Sequence, residues 1–163
     1  MQAQPRPSAG FFVVRGMQAA RLQERVQDLK GFKEITQLPK ELLLLHIAAR
    51  RQTPRKSWET LRAALEAPGD LFPVLLNDNG ERLCPTGVIQ VRFHEPFPDK
   101  ELESFAKEHR LRLVERNRFQ PAQASFEMQD PATTYLPEVI EKANTPSTVR
   151  VAWAETMAHY RRS

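Results

Sequence analysis

The stretch Val88-Ile89-Gln90-Val91-Arg92-Phe93 constrains the fold more than any other, because Ile89, Val91 and Phe93 alternate with Val88, Gln90 and Arg92. A period of two puts one set on each face of a strand, so the segment belongs in a sheet with one face buried and one wet. Gln123–Met128 follows the same rule, with Ala124, Phe126 and Met128 sharing a face. Between and after these strands the period changes to that of a helix. Leu102, Phe105 and Ala106 follow Asp99, the expected N-cap, with Glu101 and Glu103 favourable in the first turn. Leu136, Val139, Ile140 and Ala143 mark a second helix over 135–143, where Pro137 is tolerable because it falls in the first turn. Strands at Leu111–Arg116 and at 149–153 complete the order βαββαβ.

The first half shows the same order. A strand at 11–15 lies between Gly10 and Gly16. Leu22, Val26 and Leu29 give a helix over 18–30, with Gly31 just past its end. Strands at 33–38 and 42–48 flank Pro39, and the run Leu42-Leu43-Leu44-Leu45 reads as a buried strand. A helix at 58–66, capped by Ser57, carries Trp58, Leu61 and Leu65 on one face. A strand at 72–76 then turns at Asn79-Gly80 and returns through Arg82-Leu83-Cys84. The expected fold is α+β: two tandem ferredoxin-like (βαββαβ) units, each an antiparallel sheet with helices on one face. The expected organisation is a flexible arm at 1–9, one unit at 10–84, a second at 86–155 and an extended C-terminal tail at 156–163.

Composition narrows the function. The 163 residues carry 24 Lys+Arg against 20 Asp+Glu, a net charge of +4 spread along the chain. That admits an acidic partner surface without the concentrated basic block that points to nucleic acid. The single cysteine, Cys84, excludes an internal disulfide framework and a multi-cysteine metal site, and a buried thiol is expected. No stretch nears the ~18 uninterrupted apolar residues of a membrane span. The first ten residues lack an apolar h-region. A cytoplasmic protein is expected, with secretion open if a leader has been removed. His46, His94, His109 and His159 stand apart in structural settings, and there is no glycine-rich phosphate loop, GxSxG or HExxH. The chain therefore reads as non-enzymatic, without metal or cofactor.

The surface left for function is the sheet face of the second unit. By alternation Phe93, Phe126 and Trp153 are expected on the helix-packed face. The opposite face would present Gln90, Arg92, Arg112, Arg116, Gln123, Ser125, Arg150 and Ala152, polar and basic, suited to phosphates or to a protein with acidic or helix-cap groups.

Residues 86–160, with "TGVIQVRF", the "D-x-E-L" helix at Asp99, "LRLVERNRF", "QASFEM" and "VRVAWAETMAHY", resemble the N-terminal prodomains of subtilisin-like serine proteases. The resemblance implies a ferredoxin-like unit whose sheet packs on surface helices of the protease, while the peptide after the last strand lies in the active-site cleft. Such units act as inhibitors and folding chaperones. Carried over, Thr156, Met157, Ala158, His159 and Tyr160 would pair with the cleft as an added strand, with Tyr160 offered to the large apolar specificity pocket and Met157 to the other main pocket. Gln90, Arg92, Arg112, Arg116, Gln123 and Arg150 would dock on the protease surface. Asn117, in a bend where the family often presents carboxylates, would be left to cap a protease helix. The expected partner is thus a subtilisin-like protease, in trans or from the same precursor. The alternative is a basic ferredoxin-like nucleic-acid-binding module.

Overall fold

A computed structural model describes residues 4–48, 51–65 and 69–158. The chain divides into two compact units, Met1–Pro85 with Met157–Ser163, and Thr86–Thr156. The fold is α+β: eight strands and four helices among the described residues, and every strand pair whose register is defined is antiparallel.

The first unit runs β1 (Arg6–Arg15), α1 (Ala19–Val26), β2 (Phe32–Gln37), β3 (Leu42–Ile47), α2 (Pro54–Leu65) and β4 (Asp70–Leu76), with strands in the order β2-β3-β1-β4. Phe12, Val13 and Val14 are all fully buried, as is Leu45 beside them in β3, so the central strands are covered on both faces. This explains the unbroken Leu42–Leu45 run. Trp58 of α2 is buried and its indole N–H donates to the Leu71 carbonyl at 3.1 Å, tying the helix to β4.

Three local expectations are corrected here. Residues 6–9 are strand, not arm. A register shift between Pro7 and Phe12 lets β1 continue, and the buried Ser8 Oγ accepts from the Gly10 and Phe11 amides at 3.2 Å each. The second helix starts four residues earlier than expected, because Thr53, rather than Ser57, caps it. Thr53 Oγ1 accepts from Lys56 N at 3.2 Å and Pro54 occupies the tolerant first position, while the Ser57 hydroxyl donates to the Ala9 carbonyl at 2.6 Å. Helix α1 closes at Val26 rather than near Lys30, and Gly31 serves the entry to β2 instead. Its φ is +92°, and a Cβ there would lie 2.8 Å from the Ala48 carbonyl oxygen.

Strand β5 (Arg82–Phe93) begins in the first unit, where Arg82 and Leu83 pair with β4, and from Thr86 on it belongs to the second, which continues through α3 (Asp99–Glu108), β6 (Leu111–Arg116), β7 (Gln123–Met128) and α4 (Leu136–Ala143) to β8 (Val149–Ala158). Its strand order is β8-β5-β7-β6. Ile89, Val91, Phe93, Ala124, Phe126 and Met128 are buried while their alternates are not. Phe105 of α3 sits over this face, 5.1 Å from Phe93 edge-on and 5.5 Å from Phe126. Burial of aromatic area plus ring-edge contacts makes this cluster the core of the unit, and truncating Phe126 to alanine would cost about 3–5 kcal/mol. No helix among the described residues is long and apolar enough to cross a membrane.

The hairpin joining β2 to β3 carries strain. Lys40 and Glu41 both have φ of 59°, and Leu42 N donates back to the Pro39 carbonyl at 3.4 Å, which makes a type I′ turn from two residues that lack the usual Asn-Gly chemistry. Replacing Lys40→Asn with Glu41→Gly should raise the free energy of unfolding by about 1 kcal/mol or more, read from urea denaturation. An unchanged or lowered midpoint would show that the turn is not strained.

Candidate protein-docking face

On the face of the second unit opposite Phe105, side chains from β5, β7 and β8 form a connected polar layer. Arg92 donates to Gln123 Oε1 at 3.0 Å, Gln123 Nε2 donates to Gln90 Oε1 at 3.2 Å, and Ser125 Oγ donates to the same oxygen at 2.9 Å. The Arg92 guanidinium lies 5.9 Å from the Trp153 ring centroid, a cation–π contact. Further along, the Thr86 hydroxyl meets Glu155 Oε2 at 3.3 Å. Across the β6–β7 ladder, Arg112 and Glu127 are directly opposed and ion-paired. The residues of Arg92, Gln90, Gln123, Ser125 and Trp153 are half-buried, so the layer is held in place by its own bonds.

Of the residues expected on this face, Gln90, Arg92, Arg112 and Gln123 are brought together. Trp153 joins them, correcting its assignment to the core. Its contact with Arg92 and the Thr86–Glu155 pair set the odd residues of this part of β8 on the polar side. Arg116 does not belong there. The register of β6 shifts between Leu113 and Glu115, so Arg116 pairs opposite the buried Ala124 and points to the helix side. There it bonds Asp99 Oδ1 at 2.9 Å, the Pro121 carbonyl at 3.1 Å and the Phe97 carbonyl. Asp99, expected as the N-cap of α3, lies inside its first turn, and Pro98 is the cap. Arg150 is exposed at the start of β8, outside the polar layer. Asn117 does cap, but within its own chain: its Oδ1 accepts from Phe119 N at 2.8 Å and Gln120 N at 3.1 Å.

Strand β8 runs to Ala158, five residues past its expected end at Trp153, because the twelve residues of β5 offer it a long partner. Thr156 and Met157 are half-buried strand residues and Ala158 closes the strand, while His159 and Tyr160 lie outside the described residues. Asn144, just past α4, clamps the outer edge of β8: its Nδ2 donates to the Ala152 carbonyl at 3.0 Å and its Oδ1 accepts from the Ala152 amide at 2.8 Å. One sign of the β6 shift was legible in the sequence, since Val114 falls where alternation demands a polar residue. The sequence held no comparable sign of the Asn144 clamp, which joins residues eight apart through a turn.

Cys84 is fully buried, and burial pushes its thiol up to about 11. His46 stacks on Phe11 at 4.1 Å, and His109 lies 4.3 Å from Phe105. Burial lowers the pKa of both imidazoles, with Glu34 and Glu108 respectively opposing it. A cleft of about 370 Å³ beside α3 and α4 includes Arg110, Asp130 and Lys142 in its lining, charges of both signs that select no one ligand. Among the described residues no three His, Cys, Asp or Glu side chains are grouped to hold a metal ion.

No family model matches the chain, and no curated protein matches it. Among solved structures, the C. elegans NONO-1 homodimer is similar at 10% identity and a TM-score of 0.30, over 95% of this chain and 64% of that one. The chain thus spans less than two thirds of that neighbour's length, and a likeness of this size carries no argument about fold or function.

Two outcomes follow from this geometry. Asn144→Ala removes the two hydrogen bonds that Asn144 makes to the Ala152 backbone, so the unfolding free energy should drop by about 1–3 kcal/mol. A drop under about 0.5 kcal/mol would mean that solvent replaces the clamp. His46 and His109 have folded pKa values below the unfolded 6.5, so the folded state binds fewer protons and stability should fall as pH drops below about 6.5. Urea unfolding at pH 7.5 and 5.5 should show that fall in the wild type and a smaller one in the His46→Asn/His109→Asn variant. Equal falls would assign it to other groups.

Proposed function

We propose that the chain binds a subtilisin-like serine protease as a prodomain-like inhibitor or folding chaperone, presenting the polar sheet face of residues 86–156 and the peptide that follows β8. We read both units of the supporting architecture as ferredoxin-like. The strand orders β2-β3-β1-β4 and β8-β5-β7-β6, each with a helix after the first and third strands, support that reading, since they match the order expected of a split βαβ sandwich.

The observation that carries the reading is that the arginines expected to present the docking face, Arg92, Arg112 and Arg116, are already engaged within the chain. Arg92 is engaged by Gln123 and Trp153, Arg112 by Glu127, and Arg116 has left the face for Asp99. Phosphate binding draws on free cations whose counterions are released. A self-paired polar layer of fixed geometry instead suits a protein surface, where little ordering has to be spent on contact. Strand β8 then leads the chain directly from this face into its last residues. Because Thr156, Met157 and Ala158 are strand residues, the cleft-binding role passes to those that follow, His159 and Tyr160 first. Paired in the cleft as an added strand, they would draw affinity from backbone hydrogen bonds and selectivity from the tyrosine.

Inhibition of subtilisin hydrolysing a peptide substrate tests this. The full chain should inhibit, with a Ki that changes less than about threefold between 0.05 and 0.5 M salt, and removal of residues 159–163 should raise Ki at least about tenfold. Absence of inhibition, together with oligonucleotide binding that weakens steeply with salt, would overturn the reading in favour of a nucleic-acid module.

A further inference from the structure

The bend between β6 and β7 presents Phe119 97% exposed, while every other phenylalanine of the chain is buried or half-buried. Such exposure at a frayed tip would mean little. This bend is not frayed. Asn117 Oδ1 accepts from the amides of Phe119 and Gln120 at 2.8 and 3.1 Å, Asn117 N donates to the Gln123 carbonyl at 2.9 Å, and Gln123 N donates to the Gln120 carbonyl at 2.9 Å. Arg116 fastens the same segment from the helix side through the Pro121 carbonyl at 3.1 Å. An aromatic ring with few rotatable bonds, on a backbone already fixed, loses little freedom when it is buried by something else.

We propose that Phe119 is a preformed anchor that enters an apolar pocket bordered by a carboxylate on the protein docked against the sheet face, a proposal that rests on the protease-binding reading above. The carboxylate answers Arg118, the exposed cation beside the ring. Arg116, the other cation of the bend, is held by Asp99 and the Phe97 carbonyl. One free charge and one ring are too little for a phosphate backbone or an anionic bilayer, each of which is held by several cations. They are the usual makings of a single pocket contact between proteins, where Phe and Arg are enriched at the core and hot spots are few. The placement fits two-point attachment. His94 N donates to the Thr148 carbonyl at 3.0 Å at the end of the sheet that carries the bend, and Thr86 meets Glu155 at the other. Phe119 and Thr156 therefore bracket the polar layer roughly 25 Å apart, counted at ~3.3 Å per strand residue. A contact at Phe119 and the proposed cleft contact of the peptide that follows β8, held apart by a rigid frame, reinforce one another.

Binding to subtilisin whose catalytic serine is replaced by alanine tests the anchor, for the wild-type chain, Phe119→Ala and Arg118→Glu. Since Phe119 supports nothing in its own fold, Phe119→Ala should keep the wild-type unfolding midpoint. It should raise Kd at least about tenfold, and Arg118→Glu should raise it about as much. If the wild type binds and Phe119→Ala binds within twofold of it, the anchor is wrong and the protease reading stands. Wild-type affinity in Arg118→Glu alone would remove the carboxylate from the proposal. No binding by the wild type would sink the protease reading and the anchor together.

Discussion

The contact of Phe105 with Phe126 determines most of what residues 86–156 present to their surroundings. Phe105 descends from α3 to within 5.5 Å of Phe126 and 5.1 Å of Phe93, which fixes the buried parity of the two central strands. With a side-chain period of two, one buried residue per strand dictates every other. Gln90, Arg92, Gln123 and Ser125 are thereby set side by side on the far face, close enough to bond one another. The polar layer is thus a consequence of the aromatic core.

The same rule explains both what was legible in the sequence and what was not. The 88–93 part of β5 and the whole of β7 obey strict alternation, so their buried and polar faces were read correctly residue by residue. In β6 a single register shift after Leu113 carries Arg116 to the opposite side, where it serves the start of α3. Alternation counted from one end of a strand cannot survive such a shift, although Val114 in a polar position betrays it. Trp153 was misplaced for a related reason. Alternation counted from the buried Val149 puts Trp153 on the core side, yet Ala152 is the buried residue and Trp153 meets the Arg92 guanidinium of β5. Element boundaries were lost where the deciding group lies outside the periodic segment. Thr53 caps α2 from before Pro54, and the length of β8 follows from that of β5 rather than from its own composition.

These corrections sharpen the functional reading. A face of unengaged arginines would have favoured nucleic acid, whereas here one arginine lies under a tryptophan, one is paired to a glutamate and one is withdrawn to the helix side. What the bonds within that layer supply is rigidity. The clamp of Asn144 on Ala152 extends it to the outer edge of β8, blocking further strand addition there and keeping the strand that leads to the C-terminus in line. Phe119 and Thr156 of β8 stand at the two ends of this frame.

The central claim is that the polar sheet face, and not the helix side, is the surface a protease covers. Hydroxyl-radical footprinting of the chain, alone and with subtilisin carrying an alanine at its catalytic serine, reads this directly, because Trp153 reports the sheet face, Phe119 the bend and His109 the helix side. Reduced labelling of Trp153 and Phe119 in the complex, with His109 unchanged, is the expected result. Protection of His109 while Trp153 labels as it does in the free chain would contradict it.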